Sequence, residues 1–349
     1  MTNDLSSIKQ RSFLSPWLED VSCAQMESVG VQGGFSGAVI WKVSIEGQNY
    51  CLRRWPQVHP TMDGLAVIHG LLFHTKKSGF EIVPAPLPTR SGKTFFLNEQ
   101  HLWELAPWMP GEASYLDQPS KTKLEAAARC LAKFHKAAEN FSHAGVGQKI
   151  TQSSGLRQRL AILQELQQGG LDKLWQATRL AVPNQLQQLA FELLEGIDRP
   201  LAKITGRLVQ IADSPLPLQW CLQDVRHDHI LFTDDRVTGL IDFGAVAVES
   251  VAGDLARLLG SMVNDDAQAW RTGVEAYCRV RPLTEDQQRA MVGFDEGGTL
   301  CSAANWVRWL FVDRKTFPQM NAVVRQLQWL STRLRALESR SGASMACGW

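Results

Sequence analysis

The chain has 349 residues, 44% of them apolar and 20% charged, a composition that suits a globular protein with room for two packed units. It excludes a peptide hormone, a collagen and a disordered tail. Lys and Arg number 36 against 35 Asp and Glu, for a net charge of +1; no global field draws the chain to nucleic acid or a membrane surface, and a small or locally charged ligand is the expected partner.

The seven cysteines are scattered and include no C-x-x-C, which fits neither a disulfide framework nor a thiolate zinc site and points to a reducing cytoplasm. The opening MTNDLSSIKQRSF has no apolar core, and no apolar run approaches the roughly 18 residues of a membrane span. The expectation is a cytoplasmic chain. Most of the 12 tryptophans are expected in cores, with a minority free to stack a ligand.

From Val29 to Trp55 a glycine-rich turn precedes alternating Val39, Trp41, Val43 and Ile45, a Glu46-Gly47 turn and a second β-rich run, the pattern of antiparallel strands. LAVIHGLLFHTKKSGF has helical spacing ending at Gly79. FEIVPAPLPT and KTFFLNEQHLWELAPW resume strand character. APWMPGEAS, with two prolines and a glycine, suits a boundary. Beyond Ser120 the segments KTKLEAAARCLAKFHKAAENF, GLRQRLAILQELQQ and NQLQQLAFELLEGI are amphipathic helices, with Leu156, Leu160 and Leu163 forming a stripe. Residues 218–245 interrupt them with two short apolar strands joined through Asp234 and Asp235. Helices then continue to Leu337, and Arg333, Arg335 and Arg340 read as a solvated face. The tail at 341–349 is expected to be disordered.

Residues 224–244 carry the densest chemistry. Asp224 stands in a loop, His229 follows five residues later as a potential metal ligand, and Asp242 precedes Phe-Gly. Phosphoryl transfer needs a carboxylate to orient and accept the proton of the attacking hydroxyl, and separate ligands for the metal that bridges the phosphates.

LQDVRHDHILF followed by TDDRVTGLIDFG resembles the signature of the aminoglycoside phosphotransferase and choline kinase-like family, H-G-D-x-H-x-x-N and then [VIL]-D-[FW]. The resemblance puts Asp224 on the catalytic aspartate and Asp242, 18 residues on, on the metal-binding one. SVAGDLARLL resembles the family's helix in which Asp254 would brace the catalytic loop through its backbone. GGFSGAVIWKV resembles the turn over the ATP phosphates, with Gly33, Gly34 and Gly37 allowing close approach and Phe35 and Ser36 at its tip. Arg53, in YCLRRW, matches the phosphate-binding lysine, and WELAPWMPG resembles the hinge, where Pro107 would offer adenine a carbonyl and Met109 an amide.

Departures are specific. Leu222-Gln223 replace His-Gly, Arg226 replaces the following histidine, and His229 replaces the metal-binding asparagine. Imidazole suits manganese better than magnesium. The helix that should present a glutamate to residue 53 offers Ile68 or His69, so no Lys–Glu pair is expected.

The resemblance implies an α+β, bilobal, protein-kinase-like fold, with a nucleotide lobe at 1–106, a hinge at 107–111 and a helical catalytic lobe at 112–340. The implied function is ATP-dependent phosphorylation of a small-molecule hydroxyl, with ATP and Mg2+, or Mn2+, as cofactors. Asp224 would be the base, Arg226 and Arg53 would contact phosphates, and His229 and Asp242 would hold the metal. The acceptor would enter between the helices of 150–210 and those after Asp254. Two alternatives stand beside it: a pseudokinase without transfer, and a metal-dependent hydrolase using His227, His229 and Asp242. His227 and His229 are expected to be one ligand-facing and one exposed, His69 and His135 to be core or capping residues, and Trp306 and Trp309 to pack the core or shape an acceptor pocket.

Overall fold

The computed structural model describes residues 12–30, 37–317 and 319–342. The chain forms two compact units that interleave in sequence: Met1–Val146 with His227–Val246, and Gly147–Arg226 with Ala247–Trp349. Each has its own sheet.

The first unit is built on a five-stranded antiparallel sheet of β1 (Gln25–Gly30), β2 (Val39–Ile45), β3 (Gln48–Arg54), β4 (Phe96–Asn98) and β5 (His101–Pro107), in the order β1-β2-β3-β5-β4. The alternation read in β2 buries Trp41 and Val43 with Leu52, Trp103 and Leu105. Glu46 and Gly47, at φ 50° and 80°, make a turn whose twist matches the flanking strands. Helix α1 (Met62–Lys77) starts at Thr61, whose side chain accepts from the Gly64 amide. The expected strand at 80–89 is irregular instead, because Pro84, Pro86 and Pro88 supply no N–H to a ladder.

Helix α2 (Lys121–Ala138) and the hairpin β8 (Ile230–Thr233)–β9 (Arg236–Leu240) complete this unit. The expected hinge at 107–111 therefore lies inside it, fastened to the hairpin: Thr238 donates to the Pro110 carbonyl at 2.9 Å and Glu112 pairs with Phe232. Gly111, at φ 94°, has no room for a Cβ, which would lie 2.7 Å from the Phe232 carbonyl oxygen.

The second unit contains α3 (Ser154–Glu165), α4 (Leu171–Arg179), α5 (Gln185–Ala212), α6 (Val251–Val263), α7 (Ala267–Cys278), α8 (Glu285–Val307) and α9 (Met320–Gly342), with an antiparallel sheet β10-β7-β6 made of β6 (Lys149–Gln152), β7 (Pro215–Cys221) and β10 (Ala247–Glu249). Leu156 and Leu163 are buried, as is the α9 stripe Val323, Leu327, Leu330, Leu334 and Leu337. Helix α5 extends well past the 184–197 pattern, through Pro200. Close approach of α8 to α5 uses Gly297, where a Cβ would meet Leu208 at 2.9 Å.

Arg333 departs from the solvated face expected of it. Its spacing from Leu330 and Leu337 turns it onto the packed side of α9, where it is 1% exposed and bonds Asp295 at 2.6 Å and the Gly260 and Asn264 carbonyls. A buried guanidinium needs those partners. Arg335 is exposed. Helix α9 runs to Gly342, and the rest of the expected tail, with the Arg340 side chain, lies outside the described residues.

Replacing Gly111 with alanine forces both a left-handed backbone and a clash with the carbonyl of Phe232. Gly111→Ala is expected to lower unfolding stability by about 2 kcal/mol in denaturant titration.

Candidate active site

In the second unit, β7 delivers the chain to Leu222, Gln223 and Asp224. Helix α6 opens on Ser250, whose side chain accepts from the Ala252 amide, and carries Asp254 in its first turn. The Asp254 carboxylate is fully buried and accepts the Leu222 amide at 2.7 Å and the Gln223 amide at 2.8 Å. Charge-assisted bonds of this kind offset the burial of a carboxylate. The bracing role expected of Asp254 is what the geometry displays. Gln223, where the family pattern has glycine, sits at φ 66°, a left-handed conformation that costs a residue with a side chain about 1–2 kcal/mol.

Asp224 follows on this braced turn. Its Oδ1 accepts Nη2 of Arg257 at 2.6 Å and Nε at 3.1 Å. The Asp224 side chain is 47% exposed. Arg257 lies on α6 three residues after Asp254, so one helix both anchors the loop and holds its carboxylate. Sequence reading missed Arg257, although its place one turn beyond Asp254 puts it on the same helix face. Arg226 is half-buried.

In the first unit, Arg53 on β3 stands opposite Glu104 on β5. Arg53 Nε is 3.7 Å from Glu104 Oε1, and His69 Nε2 lies 2.7 Å from Glu104 Oε2. An ionised carboxylate only accepts, so the imidazole donates at Nε2, while Nδ1 meets the Thr94 hydroxyl at 2.8 Å. His69 is thus more than a core residue, and the carboxylate missing from α1 comes from the neighbouring strand. Burial pushes the Glu104 carboxyl up, but the His69 hydrogen bond and the Arg53 charge outweigh it and leave it below its ordinary 4.5. Burial works against the Arg53 charge, and Glu104, Cys51 and Asp242 outweigh it and raise its pKa.

The Arg53 guanidinium also lies over the Trp55 ring at 4.7 Å. The same indole abuts Gly244, where a Cβ would sit 3.3 Å from it, and His59 bonds the Gly244 carbonyl at 2.8 Å. Trp55 therefore joins the Arg53 network to the Asp242-Phe243-Gly244 turn. Phe243 is buried edge-on against Phe134 of α2. Asp242 has φ 65° and a side chain 46% exposed.

His227–His229 forms a single 3-10 turn. His229 is buried, and its Nε2 lies 3.6 Å from Asp242 Oδ2 and 3.7 Å from Asp228 Oδ1. Its Nδ1 has no hydrogen-bond partner. That Nε2–Oδ2 gap is too long for a hydrogen bond, and the imidazole and carboxylate there are a donor set that would hold a divalent cation.

Pro107 ends β5 opposite Tyr50, and Met109 packs against Gly239 of β9. Gly33, Gly34, Phe35 and Ser36 lie outside the described residues; Gly37, beside them, has φ 77°. Trp306 is buried edge-on against Trp309, with Phe317 at 5.2 Å, and His135 is fully buried. Among the described residues, no helix is long and apolar enough to cross a membrane.

A family model described as "Phosphotransferase enzyme family" matches residues 28–289. A homoserine kinase of Granulibacter bethesdensis is 26% identical over 215 residues, covering 56% of this chain and 66% of the relative. The match thus spans about two thirds of that curated relative's length. A spectinomycin phosphotransferase in complex with ADP and spectinomycin superposes with TM-score 0.66 at 12% identity, over 95% of this chain and 98% of that one. A microcompartment-associated aminopropanol kinase gives TM-score 0.65 at 15% identity, over 96% and 98%. The shared fold is the protein-kinase-like one expected from the sequence.

Because the folded Glu104 pKa is depressed, its contribution to stability is present above about pH 4.5 and is lost as pH falls through the lower folded value. Glu104→Gln is expected to lose roughly 3 kcal/mol at neutral pH. Melting curves from pH 7 to pH 3 should also show a shallower acid decline in that variant than in the unaltered protein.

Proposed function

The chain belongs to the phosphotransferase enzyme family, and from that membership we propose that it transfers the γ-phosphoryl group of ATP to a hydroxyl of a small molecule. The observation that carries this reading is the Asp254 brace, which fixes the two amides immediately before Asp224. A carboxylate held rigidly on a turn, yet half exposed, is suited to orient an incoming hydroxyl.

Asp224 is the base in this scheme. Arg257 engages Oδ1 alone, which leaves Oδ2 for the acceptor. The acceptor oxygen bonds to the γ-phosphorus, the bond from that phosphorus to the β–γ bridging oxygen breaks, its electron pair leaves with ADP, and the acceptor proton passes to Asp224. Arg53 contacts the phosphates while Glu104 and His69 fix its position, and Arg226 meets the transferred group. The Pro107 carbonyl and the Met109 amide address adenine.

His229 and Asp242 fit a divalent cation, which when bound offsets charge on the phosphate oxygens. Magnesium is the ion the family resemblance implies, and the imidazole favours manganese. The acceptor is a small hydroxylated compound, and homoserine, in the name of the curated relative, is a first choice to test.

Steady-state assays coupling ADP release to an acceptor panel test the scheme. Asp224→Asn is expected to lower kcat by about 10²- to 10⁴-fold while the protein still melts cooperatively. Undiminished turnover in that variant would remove Asp224 from the reaction.

A further inference from the structure

The second unit contains an arginine that the scheme above leaves unused. Arg159 on α3 points one N–H at the Gly155 carbonyl, 2.9 Å away, one turn back on its own helix. Its guanidinium lies 5.0 Å from the Phe294 ring centre. Its Nε is buried and makes no hydrogen bond. Among the described residues no carboxylate pairs with it, whereas Arg207, Arg257 and Arg333 of the same unit are held by Glu296, Asp224 and Asp295.

The nearest acid is already committed. A Cβ at Gly155 would lie 2.9 Å from Glu249 Oε2, 3.1 Å from Arg159 Nη1 and 3.3 Å from Phe294, so these groups converge there. Glu249, however, accepts the Gly155 amide at 2.7 Å, the Ser154 hydroxyl at 3.3 Å and the Ser250 amide at 2.8 Å. Its oxygens accept hydrogen bonds at the starts of α3 and α6, while its charge still acts on Arg159. Burial lowers the pKa of Arg159; Cys301 and Glu249 oppose that effect, and the like charge of Arg257 adds to it.

Phe294 ties this cation to the Asp224 loop. The ring also packs on Gly253, where a Cβ would lie 3.3 Å from it; Gly253 precedes the brace Asp254 and is one helical turn from Arg257. Beside Arg159 Nε, α8 presents Gly298, where a Cβ would lie 3.5 Å from that nitrogen, in ordinary contact. A planar fork of donors with no carboxylate partner among the described residues, and partly dehydrated, is suited to grip a carboxylate by two bonds.

We propose that Arg159 binds a carboxylate on the acceptor, so that the enzyme selects hydroxylated amino acids or other hydroxy acids over the corresponding alcohols that lack the acid group. The proposal rests on the reading of Asp224 as the base, which places the acceptor in this unit.

Three matched pairs test it, each differing by the carboxylate alone: L-homoserine with 3-aminopropan-1-ol, L-serine with ethanolamine, and L-threonine with 1-aminopropan-2-ol. The unaltered protein is expected to favour the acid of at least one pair in kcat/KM. Arg159→Ala is expected to cut that preference by about tenfold or more through the KM of the acid, and Arg159→Lys to restore part of it. A preference that survives in Arg159→Ala, indifference to the carboxylate in all three pairs, or a loss that falls on ATP affinity instead would overturn the proposal. If no acceptor is phosphorylated, the phosphotransferase reading fails separately, and calorimetry with the same pairs decides this one. Acid binding lost in a folded Arg159→Ala would uphold it; no acid binding to the unaltered protein would sink it.

Discussion

A single carboxylate, Glu104, gathers Arg53 and His69 in the first unit. It sits mid-strand on β5, 8% exposed, where an unpaired charge would be costly. Arg53 from the facing strand and His69 from α1 both converge on it. Neither cation nor imidazole would be held in place without it. Arg53 in turn stacks on Trp55, and Trp55 closes on the Asp242-Phe243-Gly244 turn. An ion pair two strands wide thus reaches the residues that fit a metal.

The second unit follows the same logic with a different acid. Asp254, wholly buried, exists at that position because two backbone amides satisfy it. The pair of bonds also holds Gln223 in a left-handed conformation that the glycine of the family pattern would adopt without strain. One helix, α6, then supplies Arg257 to the carboxylate it has positioned. In both units a buried carboxylate does the positioning, while Asp242 in the first and Asp224 in the second are more exposed.

Sequence periodicity reported the long elements well, because their apolar faces repeat over many residues: β2, α2, α6 and α9 follow their patterns. The brace of Asp254 on the Leu222–Gln223 turn was legible through the family resemblance, not through local spacing. Glu104 escaped notice because its partnership with Arg53 depends on the register of two strands some fifty residues apart, and no local spacing encodes that. Proline arithmetic would have corrected the strand expected at 80–89. Arg333 was misjudged because charge was weighed above helical phase, although its spacing from Leu330 places it among buried leucines. Arg159 carries no motif at all; only the glycines and the ring around it mark it out.

The dependence of Arg53, proposed to bind phosphate, on Glu104 is the claim from which the rest follows. Titration calorimetry of ATP with manganese, into the protein and into Glu104→Gln at neutral pH, addresses it most directly. The account predicts that the unaltered protein binds ATP and that the variant, still folded, binds it about tenfold more weakly or worse, since the ion pair that holds Arg53 is gone. Equal affinity in a folded Glu104→Gln, or no ATP binding by the unaltered protein, would contradict it.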